Sequence, residues 1–303
     1  MAIIDGRTIK WAEYVDETTM GTTPSNPTMV AFPGDLEKAE LTSGPEIDVY
    51  RALQGASVTD PLSCGETVRT GETHAVKITV RCNSLAWLPY VLMATNTTTY
   101  AVGNTPHYVS IGIKADDQYC VFSGCLLHTA EFNFPDMKSS CTLVLTYICK
   151  DKTDWSLSSY IGTGSHATAS TDDPYTMSDL SSVLYDSSAP SVSDILLESL
   201  KFTISYDYEP VTDLSESAPS KIGDYAFMSR SIQLDMGMTM MAMGAHNDVL
   251  TATDHEVMFT LDSKTFKFTD LKWTNSPTVD LSPSTKVGMT FTSDGDATRL
   301  EFV

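Results

Sequence analysis

Residues 106–149, PHYVSIGIKADDQYCVFSGCLLHTAEFNFPDMKSSCTLVLTYIC, and residues 254–293, DHEVMFTLDSKTFKFTDLKWTNSPTVDLSPSTKVGMTFTS, decide how this chain is read. In the first stretch His107, Val109, Ile111 and Ile113 alternate with other residues, the period-two signature of a strand with one buried face. In the second, His255, Val257, Phe259 and Leu261 repeat the alternation at an offset of 148. The turn after them, Asp262 and Ser263, is two residues shorter than residues 115–118, so the expected offset falls to 146 and Phe122 matches Phe268. Phe132 and Phe134 match Val279 and Leu281. The closing strands match at 146, with Cys141, Leu143 and Leu145 against Val287, Met289 and Phe291. Upstream, Val76, Ile78 and Val80 match Ile232, Leu234 and Met236 at 156. Strands in one order at nearly one separation mark an internal duplication of a small β unit.

A chain of 303 residues holds two such units with a core in each. Its hydrophobic fraction of 42% and mean hydropathy of −0.09 are those of a globular chain. No apolar run approaches the eighteen or so residues of a membrane-spanning helix. The opening residues MAIIDGRTIK lack a cationic region followed by an apolar core, so no signal peptide is expected. Net charge is −20, with −6 in residues 1–150 and −14 in residues 151–303. Gripping nucleic acid needs clustered Lys and Arg, so this balance argues against it and fits a surface that does not adhere to a polyanion. All six cysteines lie in the first copy. A unit built a second time without cysteine does not need disulfides, and the expectation is buried thiols acting as small hydrophobes.

In chain order, residues 1–45 read as an arm. Trp11 and Tyr14 precede Glu17-Thr-Thr-Met-Gly21-Thr-Thr-Pro24-Ser-Asn-Pro27, where two prolines and a glycine exclude a helix and a central strand. Such a segment is extended and lies against its own domain or against a neighbouring subunit. The first domain spans residues 46–150. Ile47 and Val49, with Leu53, mark one strand, and His74, Val76, Ile78 and Val80 another. The region 55–71 reads as turns. Asn83 and Ser84 precede a short helix over residues 85–94, which Pro89 kinks or delays. Within residues 120–134 the even-numbered set, from Cys120 to Phe134 and including His128, is the expected core face. His128 aligns near Trp273, so packing is its expected role. Residues 151–194 join the copies, with a short strand near residues 179–185. The second domain spans residues 195–303, with Leu200, Phe202, Ile204 and Tyr206 on a strand. Pro210, Leu214, Pro219 and Ile222 then punctuate a polar connection. The methionine-rich residues 236–243 are expected to fill core. The fold class is therefore all-β, mainly antiparallel, with two tandem sandwich or barrel domains and one short helix in the first.

No catalytic constellation emerges. None of the six histidines sits in HExxH or beside a nucleophile motif, and there is no GxSxG elbow and no P-loop. Gly162-Thr-Gly164-Ser-His166-Ala lacks the strand and helix that a dinucleotide fingerprint requires. Acid pairs such as Asp116-Asp117 and Asp172-Asp173 fall in turns, where carboxylates bind local backbone. The reading is of a non-enzyme with no cofactor and no metal.

Three features resemble the tail tube protein, or major tail protein, of long-tailed phages and archaeal tailed viruses. They are the stretch from Glu17 to Pro27; the run Leu197-Glu-Ser-Leu200-Lys-Phe-Thr-Ile-Ser-Tyr-Asp-Tyr-Glu209-Pro210 with Leu214 and Pro219-Ser-Lys-Ile222; and the duplicated unit with one helix. The resemblance implies a structural virion protein that self-assembles into rings stacked as a tube for viral DNA ejection. Two-domain members form homotrimeric rings with pseudo-sixfold symmetry. Hairpins join edge to edge around a lumen whose negative charge repels the genome, and DNA passes without specific binding. The implied partners are further copies, the tape measure, the tail terminator and the baseplate or tip. The implied location is the virion tail, assembled in host cytoplasm, with no membrane. Trp11, Tyr14, Pro24 and Pro27 are the expected assembly-arm residues. A tandem β-sandwich adhesin or receptor-binding virion protein is the alternative, and an acidic β-rich hydrolase a third class.

Overall fold

The computed structural model describes residues 9–50, 66–94, 103–185, 195–212, 222–240, 255–273, 286–293 and 300–302. Expectations at Leu53, Leu214, Pro219, residues 241–243, Val279 and Leu281 lie outside them. In the first copy the strands are β1 (Ile9–Asp16), β2 (Val30–Ala31), β3 (Gly34–Tyr50), β4 (Glu66–Cys82), β5 (Val109–Ala115), β6 (Gln118–Phe134), β7 (Thr142–Cys149) and β8 (Asp151–Lys152). Then come β9 (Ser181–Tyr185), β10 (Ile195–Thr212), β11 (Ile222–Met240), β12 (His255–Leu261), β13 (Lys264–Trp273), β14 (Lys286–Ser293) and β15 (Leu300–Phe302). Among the described residues the fold is all-β and antiparallel, with one short α-helix, α1 (Leu88–Val91), in the first copy. That helix starts late: Pro89 occupies its first turn, where no intrahelical N–H is needed.

The duplication is visible in the pairing. The order β3-β4-β7-β6 of the first copy recurs as β10-β11-β14-β13 in the second. Registers recur too. Ile78 opposes Leu145 and Val80 opposes Leu143, as Leu234 opposes Phe291 and Met236 opposes Met289. One expected match is corrected. Ile111 opposes Phe122, and its counterpart Phe259 opposes Phe266, so Phe122 corresponds to Phe266 and not to Phe268. The first hairpin carries two more cross-strand pairs before its turn, and each pair removed shortens both arms. Ala130 opposes Leu145 as Trp273 opposes Phe291, so Trp273 takes the place of Ala130, two residues from His128.

His128 lies where the β6–β7 register shifts, between Leu127 and Thr129. A second irregularity falls at Gly124, whose φ of 60° suits glycine. Each bulge reverses which face a side chain meets. The core side of β6 therefore runs Cys120 and Phe122, then Cys125 and Leu127, then Ala130, Phe132 and Phe134. A single even-numbered core face, as the alternation predicts, fails between the two bulges.

The strand bounds exceed the sequence expectation where hairpin partners extend one another. β3 begins at Gly34 and crosses the expected boundary between arm and domain at residues 45 and 46, paired with β4 throughout. Residues 66–71, expected as turn, are the start of β4. β10 continues through Pro210, which opposes Tyr225, so the expected connection begins later. The end of this hairpin leans on the first copy. Tyr108 donates to Asp224 at 3.0 Å, Lys150 Nζ to the Gly223 carbonyl at 3.2 Å, and Arg230 to the Gly103 carbonyl at 3.3 Å.

β6 and β10 join the copies edge to edge, with Phe134 opposite Leu200, Phe132 opposite Phe202 and Ala130 opposite Ile204. One continuous sheet results, and beneath it one aromatic core. The Phe202 ring centroid lies 5.1 Å from Phe132, 5.8 Å from Phe266 and 5.6 Å from Phe268, and Trp87 beside the helix stacks on it at 6.3 Å. Phe202→Ala removes the ring shared by both copies and is expected to cost about 3–5 kcal/mol. Chemical denaturation should show that loss as one shifted transition, because both halves share the residue.

Candidate assembly surface

The N-terminal stretch is built around two glutamates. β1 pairs along β5, which carries Glu13 and Tyr14 to the first copy's flank. The chain then turns, and the Glu17 carboxylate accepts three hydrogen bonds: from the Gly21 N–H at 2.6 Å, the Ser110 hydroxyl at 2.5 Å and the Gly124 N–H at 2.9 Å. Glu17 thus ties the turn over residues 17–23 to the β6 bulge. A Cβ on Gly124 would come within 2.7 Å of Lys150 Cβ and 3.2 Å of the Gly21 nitrogen, so the bulge and the turn meet only through glycine.

Glu13, 2% exposed, accepts from the Tyr160 hydroxyl in a very short bond, from His166 Nδ1–H at 2.6 Å and from the Ala167 N–H at 2.8 Å. Burial, and next the hydrogen bond to Glu13, push the Tyr160 phenol far up. The Gly162-to-Ala167 stretch, set aside as a nucleotide fingerprint, is the seat of the arm. Its Thr163 N–H donates to Asn26 Oδ1 at 2.9 Å, and its Ser165 N–H donates to the Pro27 carbonyl at 3.1 Å.

Ser159, His166 and Glu13 stand in the order of a hydrolase triad, with Ser159 Oγ 3.3 Å from Nε2. A triad also needs donors aimed at an oxyanion. Here the nearby Ile161 N–H donates to the Ser159 hydroxyl itself at 3.4 Å. The rings of Trp11, Tyr119 and Tyr160 pack around the imidazole at 4.9, 5.9 and 5.8 Å. The cluster works as a latch that fastens the loop over residues 159–167 to β1.

The four expected arm residues fall on this framework. Trp11 is half-buried, with Lys114 Nζ 4.4 Å from its ring centre. Tyr14 is buried against Phe32 and Tyr90 at 5.1 and 5.5 Å. Pro24 is half-buried and Pro27 buried. From sequence Glu13, Glu17, Gly124, Tyr160 and His166 carried no such role; the one local signal is a glutamate four residues before a turn glycine.

The outer face of the continuous sheet is polar. It carries Asp35, Glu37, Glu40, Glu131 and Asp235 against Lys38, Lys77, Arg81 and Lys201, among threonines such as Thr79, Thr129, Thr146 and Thr203. The cations are tied down: Arg81 to Glu37 at 2.6 Å, Lys38 to Glu40 at 2.7 Å, Lys77 to Glu40 at 3.7 Å and Lys201 to Glu131 at 3.0 Å. On the described side chains this face is nearly neutral. Among the described residues β3 hydrogen-bonds along one side only, to β4. Its outer edge carries Glu37, Lys38, Glu40 and a bulge between Leu36 and Lys38, devices that discourage indiscriminate pairing.

Among the described residues no group of His, Cys, Asp and Glu could hold a metal, and no helix is long and apolar enough to cross a membrane. No protein-family model and no curated protein matches this chain.

Glu13→Gln puts an amide NH2 against donors that need an acceptor. It is expected to cost about 3 kcal/mol, read as a lowered midpoint in urea. A pH series checks the tyrosines. Burial raises the phenols of Tyr90, Tyr147 and Tyr160 above the ordinary value of 10.0. The unfolded chain therefore ionises first, so this stability is whole below pH 10 or so and drains as pH rises above it. Melts from pH 7 upward should stay level until about pH 10 and then fall, with phenolate absorbance appearing on unfolding.

Proposed function

We propose that this protein is a structural subunit of a viral tail tube, assembling as rings that stack into a conduit for DNA. The observation that carries the reading is the β6–β10 seam, where two copies of one repeat already join edge to edge in a single sheet. β3 is the counterpart of β10 in the repeat, and its outer edge pairs with nothing among the described residues. The β13 side of another copy can meet β3 as β6 meets β10 within the chain. Such a head-to-tail contact closes into a ring when the rotation permits.

Each chain brings eight strands to this sheet: β3, β4, β7, β6, β10, β11, β14 and β13. Three chains give 24. At about 4.8 Å per strand and a tilt of about 40°, the backbone barrel is roughly 50 Å across, wide enough for a DNA duplex after side chains are added. The apolar face packs outward on each chain's own core, leaving the polar face for the lumen. Ion-paired cations and threonine hydroxyls offer phosphates little to hold. Sliding in this account rests on cations neutralised in place. The tape measure, terminator and baseplate remain the partners that the resemblance implies, and the arm is an element for stacking contacts.

Negative-stain electron microscopy over a concentration series, with light scattering on the same samples, tests the reading. Rings or hollow tubes of constant width with three- or pseudo-sixfold symmetry are expected. Monodisperse monomers at every concentration would sink it and favour a cell-surface or receptor-binding role.

A further inference from the structure

β7 is flanked at both ends by cysteines that oppose cysteines on its two neighbours. At its far end Cys149 faces Cys125 of β6, one step beyond the pair Leu126 and Ile148, and the two Sγ atoms lie 2.6 Å apart. At its near end Cys141 lies one step before Thr142, which opposes Arg81 of β4. That places Cys141 across from Cys82, whose N–H donates to the Cys141 carbonyl at 3.0 Å. In the reduced state the Cys82 thiol donates to the Ser84 carbonyl at 3.3 Å and the Cys141 thiol to the Thr142 carbonyl at 3.8 Å. All four are essentially fully buried and carry free thiols. Directly opposed positions on antiparallel strands bring Cβ atoms close to the separation that a disulfide spans. Two such pairs in register, one at each end of one strand, are unneeded for core filling, since the second copy holds the same strands without cysteine.

We infer that Cys125–Cys149 and Cys82–Cys141 form a redox-responsive double staple, reduced while the chain folds and closed when it meets an oxidising thiol–disulfide environment. The oxidant is a small disulfide of the glutathione type. One cysteine thiolate attacks a glutathione sulfur and expels one glutathione thiolate. The paired cysteine thiolate then attacks the mixed disulfide and expels the second. Per staple, two protein thiols are oxidised to one disulfide, and one glutathione disulfide is reduced to two thiols. Burial raises the Cys125 and Cys141 thiols above their ordinary value, so the native chain holds them protonated and slow to react. Exchange therefore proceeds through opening of a β7 end, and once closed the bonds are shielded from reductant by the same burial. The closed staples fix β7 to β4 on one side and to β6 on the other, clamping the central strands of the first sheet. This inference does not depend on the tube.

The purified, reduced full-length protein is incubated with oxidised glutathione, quenched with acid, unfolded in guanidinium and alkylated, then digested and mapped by mass spectrometry. The expected result is alkylation of Cys64 and Cys120 alone, with linked peptides joining Cys125 to Cys149 and Cys82 to Cys141. The oxidised protein should also melt higher by on the order of 5 °C, reversed by prolonged reduction. Alkylation of four or six cysteines, or links that involve Cys64 or Cys120, overturns the inference. A reduced control incubated without oxidant should alkylate at all six after unfolding.

Discussion

Phe132 on β6 and Phe202 on β10 face each other across the seam where two copies of one unit share a sheet. The rest of the molecule depends on that contact. A sheet edge left bare is unstable toward any other edge, and burying it requires a partner with matching register and a matching apolar row. The repeat supplies both, because the edge it exposes in one copy is the edge it needs in the other. The aromatic rings beneath the seam, from Trp87 to Phe268, then make one core of two units, so neither half is an independent body.

The N-terminal arm shows how a segment without regular structure is held. Residues 17–29 have few strand partners, and their N–H groups reach scattered acceptors instead: the Tyr108, Thr19 and Ser165 carbonyls and the Glu17 carboxylate. Glu17 gathers donors from the turn, from β5 and from the β6 bulge, and Glu13 does the same for the loop over residues 159–167. Charged acceptors suit this task because one carboxylate satisfies several N–H and O–H groups at once. Their burial also makes the arrangement unforgiving, since a lost acceptor leaves several donors unpaired.

The polar face and the cysteine pairs lie on the same strands but answer different demands. On the polar face, side chains alternate outward and pair across strands, giving near-neutrality from a chain of strong net charge. On the inward side, β7 has apolar residues throughout, with thiols at its ends. Position along a strand thus decides which chemistry a residue can serve, and composition totals cannot resolve it.

Much of the architecture was legible from alternation. The strands at Val76, Ile111, Leu143, Phe202 and Leu234, the late helix after Ser84, and the duplication itself follow from period-two burial and repeat spacing, because one buried face imprints itself directly on sequence. The bulges at Gly124 and His128 were not legible. A bulge changes parity by one residue while leaving local composition untouched, and the one at Gly124 is held by Glu17, distant in sequence. The same holds for the Glu13 cluster and for the extension of β10 through Pro210. Sequence alone determined the class of fold, the repeat and the exclusion of familiar catalytic motifs. Only the tertiary structure decided register, the joining of the two copies at β6 and β10, and the pairing of the cysteines, because each is a relation between residues far apart in the chain.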